Sequence, residues 1–192
     1  MERVRKEQRL ERELVARAQR GDGDAFAELV RDTADSLHNV AYRILRDADA
    51  ADDATQRALI AAWDHLADLR NPDKWQSWTY RLVVNAAYRE ARRERSQHAS
   101  VRFVRIGTAV ATDASAQVAD RDEMERAFRQ LSPEHRAVLV LHYYVDLPLA
   151  EIAEIVGVPV GTVGSRLHLA TRKLRAALEA DAETAYAGGH VA

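Results

Sequence analysis

Cysteine is absent from the 192-residue chain. That excludes a disulfide framework, a thiolate metal site and a catalytic thiol. Long apolar runs are absent too: none approaches the ~20 residues that a bilayer-spanning helix needs. The first residues, MERVRKEQRLERELV, are charged throughout and lack the apolar stretch of a secretory signal. The expectation is a soluble, cytoplasmic protein with no membrane insertion. No nucleophile elbow, P-loop or zinc-binding spacing occurs among the seven histidines and 30 acids. No catalytic residue, no metal site and no cofactor are therefore expected, and the chain is expected not to be an enzyme.

Charge is present in abundance, but it is unevenly placed. The formal net charge is only −2. Yet Arg81, Arg89, Arg92, Arg93 and Arg95 fall close together, and Arg166, Arg172, Lys173 and Arg175 form a second basic cluster. Acids gather at Asp47, Asp49, Asp52 and Asp53, and again between the basic clusters from Asp113 to Glu125. Such segregation suits separate surfaces for separate partners, and it also suits plain solvated helix faces. Charge alone leaves both readings open.

Apolar residues recur at helical spacing nearly everywhere. Phe26, Leu29, Val30, Leu37, Val40, Ala41, Ile44 and Leu45 predict one helix from about Asp24 to Arg46. Gly21-Asp22-Gly23 precedes it as a turn, with Asp22 or Asp24 as cap. A second helix is predicted from about Ala50 to Leu66, with Ala54, Ala58, Ala62, Trp63 and Leu66 turned inward. Asn71-Pro72 then supplies a cap and a first-turn proline. The third helix follows from about Asp73 to Arg95, with Trp75, Trp78, Leu82 and Ala86 at core spacing. The pattern fails from Ser96 to Asp120, which reads as a linker. Its VRFVRIG piece reads as an extended docking segment.

Helices resume at about Arg121, and Ser132-Pro133-Glu134 caps the next. Leu149–Val156 is predicted as a short helix, Gly157–Pro159 as a turn and Val160 to about Leu178 as the last helix. The remaining tail is expected to fray. The fold class is all-α: two small helical domains joined by a flexible linker, the C-terminal one containing a helix-turn-helix. The expected boundaries are 8–95, 96–120 for the linker, 121–180, and 181–192 for a disordered tail.

LAEIAEIVGVPVGTVGSRL has the layout of a helix-turn-helix. Ala153 is small enough for a close helix crossing, Gly157 supplies the left-handed end of the first helix, and Val163 and Leu167 point back inward. The outward residues are then Thr162, Ser165, Arg166, His168, Leu169, Arg172 and Lys173. Early outward positions on such a helix reach base edges, and flanking basic and hydroxyl groups reach phosphates. An ordinary helical hairpin with a basic face is the competing reading.

LSPEHRAVLVLHYYVDLPLAEIAEIVGVPVGTVGSRLHLATRKLRAAL resembles the −35-reading region of extracytoplasmic-function sigma factors. LVARAQRGDGDAFAELV, DADAADDATQRALIAAW and WQSWTYRLVVNAAYREARR resemble region two of the same family. The resemblance implies a factor that binds core RNA polymerase and directs promoter-specific initiation at −10 and −35 elements. It implies −35 contacts from Thr162, Ser165, Arg166, His168, Arg172 and Lys173. It implies −10 contacts from Asn71, Lys74, Gln76 and Ser77 at the foot of the third helix. Arg81, Asn85, Tyr88, Arg89, Arg92 and Arg93 would continue them along that helix's exposed face.

Asp49, Asp52, Asp53 and Gln56 would dock on the polymerase β′ clamp helices, with further contact to the β subunit. A cation held by these carboxylates is the competing reading; no glycine-containing loop or further oxygen ligands accompany them. Trp63, Trp75 and Trp78 are expected in the core. The implied partners are core polymerase, promoter DNA and an anti-sigma factor, with a monomer inside the holoenzyme. Three positions depart from the family's usual residues: Gly164 and Leu169 stand where bases are usual, and Arg57 where an acid is usual. The first two imply a weaker phosphate grip or an altered −35 preference. A stand-alone, dimeric helix-turn-helix regulator is the alternative.

Overall fold

The computed structural model describes the backbone of residues 2–101 and 124–188, and the side chains of 9–96 and 124–180. Every regular element among the described residues is helical. Helix α1 (Glu2–Ala18) buries Leu14, Val15 and Ala18 at one end of a charged sequence. Gly21, at φ 89°, turns the chain in a left-handed conformation that suits a residue without Cβ. Asp22 then accepts from Ala25 N–H at 3.0 Å and caps α2 (Gly23–Leu45). That cap, and the Arg17 guanidinium beside it, hold the Asp22 carboxyl below its usual range.

Arg46, at φ 62°, ends α2, and its N–H returns to Tyr42 O at 2.7 Å. Asp47 caps α3 (Ala48–Asp64) through Ala50 N–H at 2.8 Å. The buried face of α3 consists of small residues, Ala51, Ala54, Thr55, Ala58 and Ala62. It can therefore lie close to both α2 and α4 (Trp75–Val101). Asn71 caps the single turn Pro72–Lys74 that leads into α4.

Trp75 and Trp78 are in the core, as their spacing predicts, and the Trp75 Nε1–H donates to Thr33 Oγ1 at 3.2 Å. Satisfying that donor is what makes a buried indole tolerable. Trp63 corrects the expectation. It is 45% exposed, with one edge against Phe26 at a centroid distance of 4.9 Å. The inward face of α3 lies close against its neighbours and is built of small residues, four alanines and Thr55, with no large side chain among them.

In the second half, α5 (124–129) is followed by Ser132, which caps α6 (Pro133–Leu139) by accepting from His135 N–H at 3.3 Å. A π-type turn at Val140–Tyr144 closes with Val145 N–H on Val140 O at 3.0 Å. Then come α7 (Leu149–Val156) and α8 (Val160–Gly188). Two helices outrun their expected ends. Helix α4 continues to Val101, and α8 continues past 180, where fraying was expected, to Gly188. The α8 extension, EADAETAYAG, is rich in Ala and Glu, which lose little on entering a helix; the α4 extension, SQHASV, is not. VRFVRIG beyond Val101, the rest of the linker, and 189–192 lie outside the described residues.

The two halves are not held apart. One cluster, built from Leu14, Leu29, Leu66, Trp75 and their neighbours, belongs to the first half alone. A larger one runs without a break from Leu37, Ile44, Val84, Ala87 and Ala91 to Ala137, Val138, Leu141, Ile152 and Val163. Helices α2 and α4 thus carry a second apolar face, and α6, the π-type turn and α7 cover it. Each fully buried Val, Leu or Ile side chain stabilises by roughly 1.5–3 kcal/mol.

Candidate nucleic-acid and partner interfaces

The turn between α7 and α8 has the predicted chemistry. Gly157 sits at φ 70°, ψ 36°, and its N–H bonds Ala153 O at 2.9 Å. Val163 is fully buried, and Ala153 is buried at the crossing. Ser165, His168, Arg172 and Lys173 are exposed, whereas Thr162, Arg166 and Leu169 are half-buried. Ser165 Oγ donates to Gly161 O at 2.8 Å, which commits its proton and leaves its lone pairs free to accept. A Cβ placed on Gly164 meets no atom within 4 Å. The missing side chain at that position is therefore not dictated by crowding.

At the foot of α4, Asn71 Oδ1 accepts from Asp73 N–H at 3.1 Å, which commits one of its polar atoms to the cap. Gln76 donates to Glu11 at 3.4 Å, and Ser77 Oγ donates to Lys74 O at 3.3 Å. Arg12 of α1 bridges to Asp73, with Nε–H on Oδ1 at 2.8 Å, and holds that carboxyl below its usual range. This brace from α1 was not legible in the sequence, because the pair lies far apart along the chain. Arg81, Asn85, Arg89, Arg92 and Arg93 are exposed along α4. Tyr88 is not on that open face: its hydroxyl is buried without a partner among the described residues, and burial drives its pKa upward.

On α3, Asp49, Asp52, Asp53 and Gln56 are all exposed. His38 Nε2 lies 3.0 Å from Asp52 Oδ1. Arg57 bonds Glu90 of α4 and lies 3.3 Å from Asp53, so it ties α3 to α4 and softens one charge of the acidic stripe. Ile60 (54% exposed) and Trp63 continue the stripe toward the C-terminal end of α3. The sequence reading missed these two, although the spacing 49, 52, 53, 56, 60, 63 traces one helical face. The stripe joins carboxylates to an apolar patch, an arrangement that fits a basic, amphipathic partner.

The family described as Sigma-70 region 2 matches residues 29–97, and that described as Sigma-70, region 4 matches 121–174. The ECF RNA polymerase sigma factor SigW of Bacillus subtilis is 30% identical over 174 residues, 84% of this chain and 92% of that protein. The chain belongs to the extracytoplasmic-function (ECF) sigma factors. SigL of Mycobacterium tuberculosis is 34% identical over 148 residues, covering 74% of this sigma factor and 82% of the relative. The solved structure of CnrH in complex with the cytosolic domain of CnrY matches with a TM-score of 0.65 and 27% identity, over 90% of this chain and 99% of that one. The helix-turn-helix of this sigma factor falls in region 4, and the acidic stripe and α4 fall in region 2. Sigma factors are non-catalytic regulatory proteins that give polymerase its promoter specificity.

Proposed function

We propose that this sigma factor divides its work among three surfaces. Asp49, Asp52, Asp53 and Gln56, extended by Ile60 and Trp63, dock on the β′ clamp helices of core polymerase. Asn71, Lys74, Gln76 and Ser77 form a pocket edge for a base of the −10 element. Arg81, Asn85, Arg89, Arg92 and Arg93 track its backbone, as single-strand binders do with a cationic groove. Tyr88 joins them only when its cover is removed. Thr162, Ser165, Arg166 and His168 face base edges of the −35 element, and Arg172 and Lys173 face its phosphates.

The observation that carries this reading is the occurrence, in one chain and in order, of regions 2 and 4, each with its polar surface exposed. The stand-alone regulator is set aside, since it gives the region 2 half no task. The domains divide at 8–95 and 121–180, with 96–120 as the linker, laid through the polymerase channels toward the β subunit. The protein works in the cytoplasm as a monomer within the holoenzyme, catalyses nothing itself, and is open to restraint by an anti-sigma factor. No described helix is long and apolar enough to cross a membrane.

A net charge of −2 leaves the free chain a weak DNA binder, because affinity follows the phosphates neutralised. Polymerase supplies the register that lets both basic surfaces act together. The test is a pull-down with core polymerase followed by promoter binding, with and without polymerase. Specific binding that appears only in the presence of polymerase is the expected result. Failure to bind polymerase overturns the reading.

A further inference from the structure

The region 2 match begins at residue 29, so α1 lies ahead of it. The apolar side of α1 is buried: Leu14, Val15 and Ala18 join Leu66, Leu69 and Trp75 in one cluster. Its polar side chains reach the segment that joins α3 to α4. Gln19 Nε2 donates to Leu69 O at 2.8 Å and to Leu66 O at 3.1 Å. Seven residues earlier on the same helix, Arg12 grips the far end of the segment. Its Nε–H donates to Asp73 Oδ1 at 2.8 Å, and its Nη2 donates to Asp73 Oδ2. Glu11 accepts from Gln76 Nε2 at 3.4 Å, just inside α4. One helix thus holds both ends of the connection.

These bonds lead to the proposed −10 residues in short steps. Arg12 fixes Asp73, and the Asp73 N–H donates to Asn71 Oδ1 at 3.1 Å. With that oxygen engaged, the Asn71 amide nitrogen is the group left to donate to a base. Lys74 follows Asp73 directly, and its N–H closes on Asn71 O at 3.0 Å. Arg12 and Asp73 are exposed, and an exposed ion pair adds little stability. What a two-point grip of this kind supplies is geometry. A pocket for an unstacked base gains affinity when its groups are in place beforehand, because ordering a loop on binding subtracts from the binding energy.

We propose that α1 is a brace for the −10 pocket, in which Arg12, through Asp73, and Gln19, through the Leu66 and Leu69 carbonyls, are positioning residues that hold the connection between α3 and α4 in the form that receives an unstacked base. The proposal rests on the −10 reading given under Proposed function. Neither residue need touch DNA. Discrimination at the −10 element is then set partly by a helix outside the matched region 2, through groups that carry Asn71, Lys74 and Gln76 into place.

The test measures discrimination rather than affinity alone. The probe is a fork-junction DNA from a promoter that the chain transcribes, duplex through the −35 element and single-stranded over the non-template −10 element. An abasic site is moved along the −10 element, and dissociation constants are read by fluorescence anisotropy for holoenzyme carrying wild type, Arg12→Ala or Gln19→Ala. Wild type should lose roughly tenfold in affinity at one or more −10 positions. In each variant that loss should shrink to about threefold or less, while the loss caused by a mismatched −35 base pair stays as in wild type. Each loss is a ratio within one holoenzyme, so changes in folding, polymerase affinity or overall charge cancel. Arg12→Asp combined with Asp73→Arg re-forms the pair in reverse and should restore the full −10 loss, as removal of a cation near DNA would not.

A full −10 loss in both single variants overturns the proposal, and so does equal shrinkage at −10 and −35. A reversed pair that restores nothing overturns the role given to Arg12. Wild-type holoenzyme with no loss at any −10 position defeats the −10 reading itself, and the brace with it.

Discussion

Lys74, at the entrance to α4, and Glu154, on the first helix of the helix-turn-helix, approach to 4.0 Å across the two halves. The pair is exposed on both sides, so its own contribution is small, about 0–1 kcal/mol. Its significance is one of placement: a proposed −10 contact and the −35 module share a boundary. Three consequences concern stability or affinity at named residues, and a fourth follows from the pH dependence of a cap.

Tyr88→Phe removes a buried hydroxyl that has no partner among the described residues. The folded chain is expected to gain about 1 kcal/mol, read as a higher urea midpoint at an unchanged slope. A lower midpoint would show that the hydroxyl is bonded in solution.

Gly164→Lys adds a side chain where a Cβ meets nothing within 4 Å. The helix should gain roughly 0.5–1 kcal/mol from propensity alone. Promoter binding by the holoenzyme should tighten, and its log–log salt slope should steepen by about one if the new ammonium reaches a phosphate. An unchanged slope places position 164 away from the DNA backbone.

Trp63→Ala, on the exposed end of the acidic stripe, should weaken core-polymerase binding by about 2 kcal/mol, roughly thirtyfold, with little change in helicity. Titration of fluorescently labelled chain with core polymerase measures it. Full affinity in the variant would confine the docking surface to the carboxylates.

Asp22→Ala should lower the melting temperature at neutral pH, because Asp22 caps α2 and pairs with Arg17. The native carboxyl lies below its usual range, so its stabilisation is complete above that range and is lost as pH falls through the depressed value. The gap between wild type and variant should therefore close in acid. A gap independent of pH would mean that the cap acts without its charge.

Much of this was legible in the sequence, where local chemistry decides the outcome. Asp22, Asn71 and Ser132 cap as their positions require, and Gly157 ends α7 in the left-handed conformation that the turn needs. The two core tryptophans followed from spacing. Trp63 did not, because a large aromatic at helical spacing looks inward until the buried face of α3 is seen to be built of small residues. The packing of the two halves was hidden for a related reason. Periodicity and turn layout show that Ile44, Ala86 and Val163 turn away from water, but not that they turn toward one another. The bracing of Asp73 by Arg12 and of Glu90 by Arg57 joins residues distant in sequence, and nothing local announces either pair.

The most direct measurement is run-off transcription in vitro, with purified core polymerase and genomic fragments, with and without the chain. Discrete transcripts should appear only when the chain is present, and should vanish when Asp53→Lys reverses a charge of the docking stripe. A chain that leaves polymerase's transcripts unchanged, while gripping a specific duplex by itself, would contradict the account.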